Sequence, residues 1–408
     1  MTITGTPPNA TAEYVKGLEA QFVLQVYKRA PVVFTHGRGV HLYDTDGRAY
    51  LDFISGIGVT ALGHAHPLLT RAIQAQAEEL LHTSNIFFHP LQGEVARRLA
   101  ALTGLQRTFV TNSGTEANEA CLKFARRYWK AQGAQSRTRF VAFEHGFAGR
   151  TFGSLSVTAD EHYRTPFEPL VPGVTFVDPA DPQALVDSVT NETAAIIVEP
   201  IQGEGGIRPI SADLVAAIAT ARARTGTLLI ADEIQCGMGR TGVPFHSTTL
   251  GLAPDLMSIG KALGSGVPVG AAVMSQRVAD AIAFGDHGST YGGNLLACRA
   301  ALVVLDELER GLLPHVATVG RHMEARLQEL GRRHGSIREV RGLGLMWGLE
   351  LDRDAAPVVV ALREGGLLAN ATAKTVVRLL PPLVVEAAHV DEAVGRIDAV
   401  LGRVGSGQ

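Results

Sequence analysis

The chain has 408 residues, 46% of them hydrophobic and 19% charged, with a formal charge of −3 and a pI near 6.5. That length suits two or three domains of roughly 100–200 residues, and the charge balance leaves no broad basic surface for a phosphate backbone, so nucleic acid is excluded as the main partner and small substrates fit better. Cys121, Cys236 and Cys298 are far apart and odd in number, and no apolar stretch reaches the ~20 residues that span a bilayer, so a cytoplasmic protein without disulfides, thiolate metal sites or membrane attachment is expected.

Residues 1–20 read as a loosely held lead-in, and Met1 to Thr11 shows no basic cluster followed by an apolar run, so no export signal is expected. Gly39 to Arg48 reads as two short strands about the Asp46-Gly47 turn. From about residue 95, apolar β-rich runs at 108–110, 140–143, 194–198, 228–231, 256–259 and 269–273 alternate with helix-period segments, the signature of a parallel sheet with helices on both faces. One such helix opens at Ser211, repeats apolar residues at Leu214, Ala217, Ile218 and Ala221, and stops at Gly226. Beyond the stripe Ala301, Val304, Leu305 and Leu308 come short strands within 337–351 and 376–380, then a closing helix striped by Val390, Val394, Ile397 and Leu401. The pattern predicts an α/β protein with a second domain from about residue 310 and its chemistry at the domain junction.

Ligands of open parallel sheets bind outside the carboxyl ends of the strands, which directs attention to the residues just after each run. Thr111-Asn112-Ser113-Gly114-Thr115-Glu116 precedes a helix striped by Ala117, Ala120, Cys121, Phe124 and Tyr128; Ser113 and Glu116 have capping-box spacing, and such a helix start suits a phosphate as well as a plain cap. The run 228–231 delivers Asp232-Glu233-Ile234-Gln235, and 256–259 delivers Gly260-Lys261-Ala262. An acid and a lysine at neighbouring strand ends form a plain ion pair in many proteins. A desolvated lysine, however, gives up its proton more easily, and its free amine attacks aldehydes.

Four segments together carry a resemblance: 113–120 (SGTEANEA), 199–206 (EPIQGEGG), 232–235 (DEIQ) and 288–294 (GSTYGGN). In that order, and within similarity running from about Gln25 to Leu401, the chain resembles the class III, or ω-amino-acid, aminotransferases, and most closely their acetylornithine aminotransferase group. The resemblance implies a fold type I transferase dependent on pyridoxal 5'-phosphate: a large domain (71–309) with a mostly parallel seven-stranded sheet, and a smaller α+β domain drawn from both chain ends (1–70 and 310–408). It implies that Lys261 carries the cofactor and moves the proton, that Asp232 faces the ring nitrogen, that Gly114 and Thr115 hold the phosphate, that Phe147 stacks on the ring and that Gln235 lies near its hydroxyl, with Glu233 and Ile234 completing that wall. Thr290 is expected to reach the phosphate of a neighbouring subunit in a homodimer. Arg150, Glu204, Ser289 and Arg378 are the implied substrate residues: Arg150 for the carboxylate far from the reacting amine, Arg378 for the α-carboxylate of glutamate or 2-oxoglutarate, and Glu204 as the switch that pairs with Arg378 when an ω-amine is bound. Ser84-Asn85 also favours the acetylornithine group by resemblance.

The chain departs from the family pattern at Ala148, where histidine is usual, and at Leu295, where proline commonly follows Asn294. A small residue beside Phe147 resembles the lysine-biosynthesis branch, whose aminoadipate semialdehyde substrate is held on a small acidic amino-group carrier protein; Ala148 is thus either room for a bulkier substrate or drift. Rival readings are other class III transaminases acting on 4-aminobutyrate, ornithine or a diamine, and a non-catalytic cofactor-binding regulator, which should lack the lysine and arginines. A nucleotide-dependent oxidoreductase would use Gly264-x-Gly266 or Gly342-x-Gly344, but neither continues into the required glycine pattern; a metal hydrolase on His64 and His66 lacks an evident acidic third ligand, so no metal is expected.

Overall fold

The structure, a computed structural model, describes residues 11–405. Residues 1–10, most of the segment read for an export signal, lie outside the described residues. The second half of the expected lead-in is a helix, Ala12–Phe22, whose Thr11 cap accepts from Tyr14 N at 3.2 Å although the helix buries none of its residues. Capping rather than packing defines it.

Strands β1 (Phe34–Arg38), β2 (His41–Asp44) and β3 (Ala49–Asp52) form an antiparallel meander, the last two around the expected Asp46-Gly47 turn. The central sheet comprises β4 (Arg107–Thr111), β5 (Arg139–Phe143), β6 (Val174–Val177) and β7 (Thr193–Val198), then, after a short ribbon of β8 (Ile201–Gln202) and β9 (Arg208–Pro209), β10 (Leu228–Asp232), β11 (Leu256–Ile259) and β12 (Gly270–Met274). Its seven strands lie in the order β4-β12-β11-β10-β7-β5-β6. Alternate strand residues serve opposite faces: Phe140, Ala195 and Ile230 pack under the helix Gly114–Ala131, and Val141, Ile196 and Leu229 under the helix Ala212–Thr225. The latter begins and ends as its sequence predicts, with Ser211 Oγ accepting from Leu214 N at 3.1 Å and Gly226 left-handed at φ 72°.

One strand departs from the parallel expectation. β12 is antiparallel to both β11 and β4. The link from residue 260 to residue 269 is shorter than the roughly dozen or more residues that a parallel crossover needs, so the chain doubles back beside β11.

β13 (Ile337–Leu343), β14 (Met346–Leu351), β16 (Asn370–Thr372) and β17 (Val376–Leu379) make a second antiparallel sheet, ordered β13-β14-β17-β16. Between them β15 (Leu367–Leu368) pairs in parallel with β3, Leu51 opposite Leu367, which ties the N-terminal meander to the C-terminal region. The closing helix Ala387–Gly405 buries Val390, Val394, Ile397 and Leu401 in the core that also holds Leu51, Leu349 and Leu379.

Candidate active site

Neighbouring strands of the central sheet deliver reactive groups at their carboxyl ends. β10 ends on Asp232, opposite Ser258 of β11, and β11 leads through Gly260 to Lys261. On the other side Val198 of β7 faces Ala231, so Glu199 follows at the same level. A β-carbon at Gly260 would stand 3.2 Å from Gly114 Cα, which sets the Lys261 turn directly on the start of the helix Gly114–Ala131. Ile234 packs on the same glycine, 2.8 Å from where its β-carbon would be.

Lys261 has φ +42°, a left-handed conformation costing a side chain on the order of 1–3 kcal/mol. Its amine makes no hydrogen bond with any described residue. Burial pushes its pKa down; Glu204, Asp232 and Glu199 oppose that shift, and Arg378 adds to it. Asp232 accepts from Asn118 Nδ2 at 2.7 Å and from Ile234 N at 3.0 Å, yet burial outweighs these bonds and the Lys261 charge and raises its pKa to about 6. Glu199 accepts from Phe147 N at 2.9 Å and Gly203 N at 3.0 Å, and burial together with the Asp232 charge pushes it up to about 8. Two acids crowded in a low-dielectric pocket hold their protons more tightly.

At the helix start, Ser113 Oγ accepts from Glu116 N at 3.3 Å, while Glu116 takes Asn112 N at 2.7 Å, one residue upstream of the usual capping-box partner. Thr115 Oγ1 accepts from Arg150 N at 3.1 Å and Thr151 N at 3.3 Å and so fixes the loop bearing Phe147. Gly149, at φ +135°, must be glycine there, because a β-carbon would collide with Thr115 Oγ1.

Facing these groups, the fully buried Arg378 on β17 donates to Glu204 Oε1 at 2.6 Å, Gln235 Oε1 at 3.2 Å and Asn370 Oδ1 at 3.2 Å. A buried guanidinium needs such a partner. Burial would raise the Glu204 carboxyl, but the Arg378 charge and hydrogen bond outweigh it and hold Glu204 below the usual carboxylate range. The exposed Arg150 stacks on Tyr163, 3.5 Å from the ring centroid, and lies 5.9 Å from that of Phe147. Phe147, Tyr163, Arg164, Glu204 and Lys374 border a cleft of about 840 Å³.

The structure thus brings together Lys261, Asp232, Gln235, Glu204 and Arg378, with Gly114, Thr115, Phe147 and Arg150 around them. Glu233 turns into the core, accepting from Ser247 N at 2.5 Å and Cys236 Sγ at 3.0 Å. Ser289 Oγ accepts from Gly292 N at 2.9 Å and Asn112 Nδ2 at 3.3 Å, while Thr290 is exposed and hydrogen-bonds to no described residue. Sequence reasoning missed Asn118, Glu199 and Tyr163 as participants. Asn118 had a signal, a polar residue between Ala117 and Cys121 on a buried helical face; Tyr163 had none.

The rival motifs take structural places in the fold. His64 Nε2 is 2.8 Å from Asp52 Oδ2, and no group of three histidine, cysteine or acidic residues among the described residues could hold a metal ion. Gly342 and Gly344 flank the β13–β14 turn, and Gly264 ends the short helix that begins at Lys261. Among the described residues no helix is long and apolar enough to cross a membrane.

Residues 23–401 match the family described as Aminotransferase class-III. The acetylornithine aminotransferase of Methanocaldococcus jannaschii is 43% identical over 388 residues, 95% of this chain and 98% of that protein. The crystal structure of ornithine aminotransferase from Toxoplasma gondii superposes with a TM-score of 0.93 at 32% identity, over 98% of this chain and 96% of that one. An amine transaminase from an uncultivated Pseudomonas species, solved in its PLP-bound form, superposes with a TM-score of 0.86 at 31% identity, over 93% and 97% of the two chains.

The residues present fit pyridoxal phosphate. An amine without a hydrogen-bond partner is electrostatically coupled to a buried carboxylate with both oxygens held by N–H donors, and a capped helix start lies against the same turn. The chain therefore belongs to the class-III aminotransferases and is a pyridoxal-phosphate-dependent enzyme.

Proposed function

We propose that the enzyme moves the terminal amine of N-acetylornithine to 2-oxoglutarate, giving the semialdehyde and glutamate, or runs the exchange in reverse. The relatives named acetylornithine aminotransferase support that substrate, and the Arg378–Glu204 pair at 2.6 Å carries the reading. One pocket must accept first an ω-amine without a carboxylate near Arg378 and then a dicarboxylate with one. Glu204 neutralises Arg378 in the first case and yields to the substrate carboxylate in the second, so no buried charge stands alone. Arg150, an exposed planar fork stacked on Tyr163 of the cleft wall, grips the distant carboxylate of the ω-amine.

Pyridoxal phosphate, when bound, supplies an aldehyde carbon for the amino group and a ring that accepts the electron pair released from the substrate C–H bond. Lys261 would hold the cofactor through its Nζ and, as a free amine, would serve as the base that takes and returns the substrate proton. Its suppressed pKa favours the free amine that this role needs. Asp232 would face the ring nitrogen and favour its protonated form, with Phe147 and Gln235 lining the place of the ring. Ile234 and the Glu233 backbone back the same wall. Gly114 and Thr115 would hold the phosphate, joined by Thr290 from the second subunit of a homodimer, with Ser289 on the substrate side. The exposed Ile86, Phe87, Phe88 and Phe284 support a subunit contact, and Asn85 donates to Ser289 O at 3.0 Å and Gly292 O at 2.8 Å, joining the first part of that patch to the Thr290 loop. The pairing of β3 with β15 supports a small domain built from both chain ends around a large unit of 71–309.

A second reading is transfer to or from an aminoadipate unit on an amino-group carrier protein, favoured by the 840 Å³ volume of the cleft bordered by Phe147 and Glu204. Ala148 gives it little support, since that side chain is buried with Val157 in the core rather than at the cleft. Glutamate formation from a panel of ω-amines with 2-oxoglutarate tests both readings. Fastest turnover of free N-acetylornithine is the expected result. Preference for 4-aminobutyrate, ornithine or a diamine overturns the proposal, and a tenfold preference for the carrier-bound substrate selects the second reading.

A further inference from the structure

Asn118 lies five residues into the helix that starts at Gly114, with no solvent exposure. Its amide nitrogen donates to Asp232 Oδ2 and to Ala148 O, each at 2.7 Å. Both neighbours are pure acceptors, which fixes the nitrogen toward them. Its oxygen, by contrast, is buried with no hydrogen-bond partner among the described residues. As core filling this is a poor choice, because an unsatisfied buried acceptor is destabilising and an apolar residue of similar shape avoids it. The amide contributes where its nitrogen points.

We infer that Asn118 is the positioning residue of the ring-nitrogen acid: its amide nitrogen, anchored at the same time on Ala148 O, holds Asp232 in orientation. The geometry leaves Asp232 little freedom, since Asn118 fixes one carboxylate oxygen and Ile234 N the other. Among the influences opposing burial at Asp232, the Asn118 hydrogen bond is the largest, ahead of the Lys261 charge, so its loss favours the neutral acid. A neutral acid no longer attracts a protonated ring nitrogen. The inference deepens the assignment of Asp232 made under the proposed function and rests on it.

The test uses cofactor binding to the apo-enzyme rather than turnover. Dissociation constants for pyridoxal phosphate and for its analogue with carbon in place of the ring nitrogen are measured by quenching of protein fluorescence in wild type, Asn118→Leu, Asn118→Ala and Asp232→Asn. Loss of a hydrogen bond to a charged group predicts that both Asn118 variants bind the natural cofactor about ten- to a hundredfold more weakly near pH 8 and bind the analogue as wild type does. Equal weakening for both ligands, or no weakening, overturns the inference and leaves Asn118 a packing residue. Should Asn118→Leu fail to fold, the smaller Asn118→Ala decides alone. Asp232→Asn is the internal check: if it too fails to discriminate between the ligands, the assignment of Asp232 to the ring nitrogen falls, whatever Asn118 does.

Discussion

Replacing Glu204 by alanine strips Arg378 of its anionic partner while Gln235 and Asn370 go on accepting from it, both at 3.2 Å. Breaking a buried ion pair from one side costs about 3–5 kcal/mol. The Glu204 side chain is 35% exposed, so solvent screens the pair, and the two neutral acceptors soften the loss further; about 1–2 kcal/mol is the reasonable remainder. Under the proposed function that penalty applies when N-acetylornithine occupies the pocket, because Arg150 is the proposed holder of its carboxylate. It vanishes when glutamate supplies its own carboxylate to Arg378. Single-turnover kinetics, followed through the absorbance of the bound cofactor, should therefore show kcat/KM of the N-acetylornithine half-reaction falling about 5- to 30-fold relative to the glutamate half-reaction. Glu204→Gln, which keeps an acceptor, should fall between. Equal losses in both halves, or a larger loss with glutamate, refute the switch.

Three other outcomes follow from the site. The purified enzyme should be yellow, and Lys261→Ala, or borohydride treatment of the wild type, should abolish the visible band; a colourless protein that ignores added cofactor defeats the assignment. The pKa of Glu199 is raised from 4.5 to about 8, so the folded apo-enzyme binds the proton more tightly than the unfolded chain, and stability present below about pH 4.5 should be lost progressively as the pH climbs to about 8. Glu199→Gln should flatten that part of the melting-temperature profile, and an unchanged slope argues against a protonated Glu199. Tyr163→Ala removes the ring under Arg150, an exposed contact worth about 0.5–1 kcal/mol, and should raise KM for N-acetylornithine about two- to fivefold with kcat unchanged.

The parallel core and the strand-end chemistry were legible because their signals are local: apolar runs that must be buried on both faces, and Ser211 and Gly226 marking a helix at both ends. Strand direction was not. Nothing in Gly270 to Met274 distinguishes an antiparallel strand, although the short link before it could have done so. β6 escaped notice because it is a half-exposed edge strand without a continuous apolar run. The helix Ala12–Phe22 buries nothing, so it has no core-facing stripe to read. Within the site, Lys261, Asp232, Glu204 and Arg378 stand in quotable motifs, whereas the pairing of Arg150 with Tyr163 links residues whose meeting depends on how an irregular loop folds. Glu233 shows the opposite failure, because its place in a motif says nothing about which way the side chain turns.

Arg378 and Lys261 reside on different sheets, the first on a hydrogen-bonded inner strand of the C-terminal sheet and the second on the return between two strands of the central one. The two sheets nevertheless meet in one pocket, where Arg378 donates to Gln235 Oε1 at 3.2 Å and its charge lowers the Lys261 pKa. A shift of the C-terminal sheet would therefore be felt at the amine as well as at the guanidinium. Changes in the packing beneath β17 should alter the basicity of Lys261 together with the carboxylate preference proposed for Arg378.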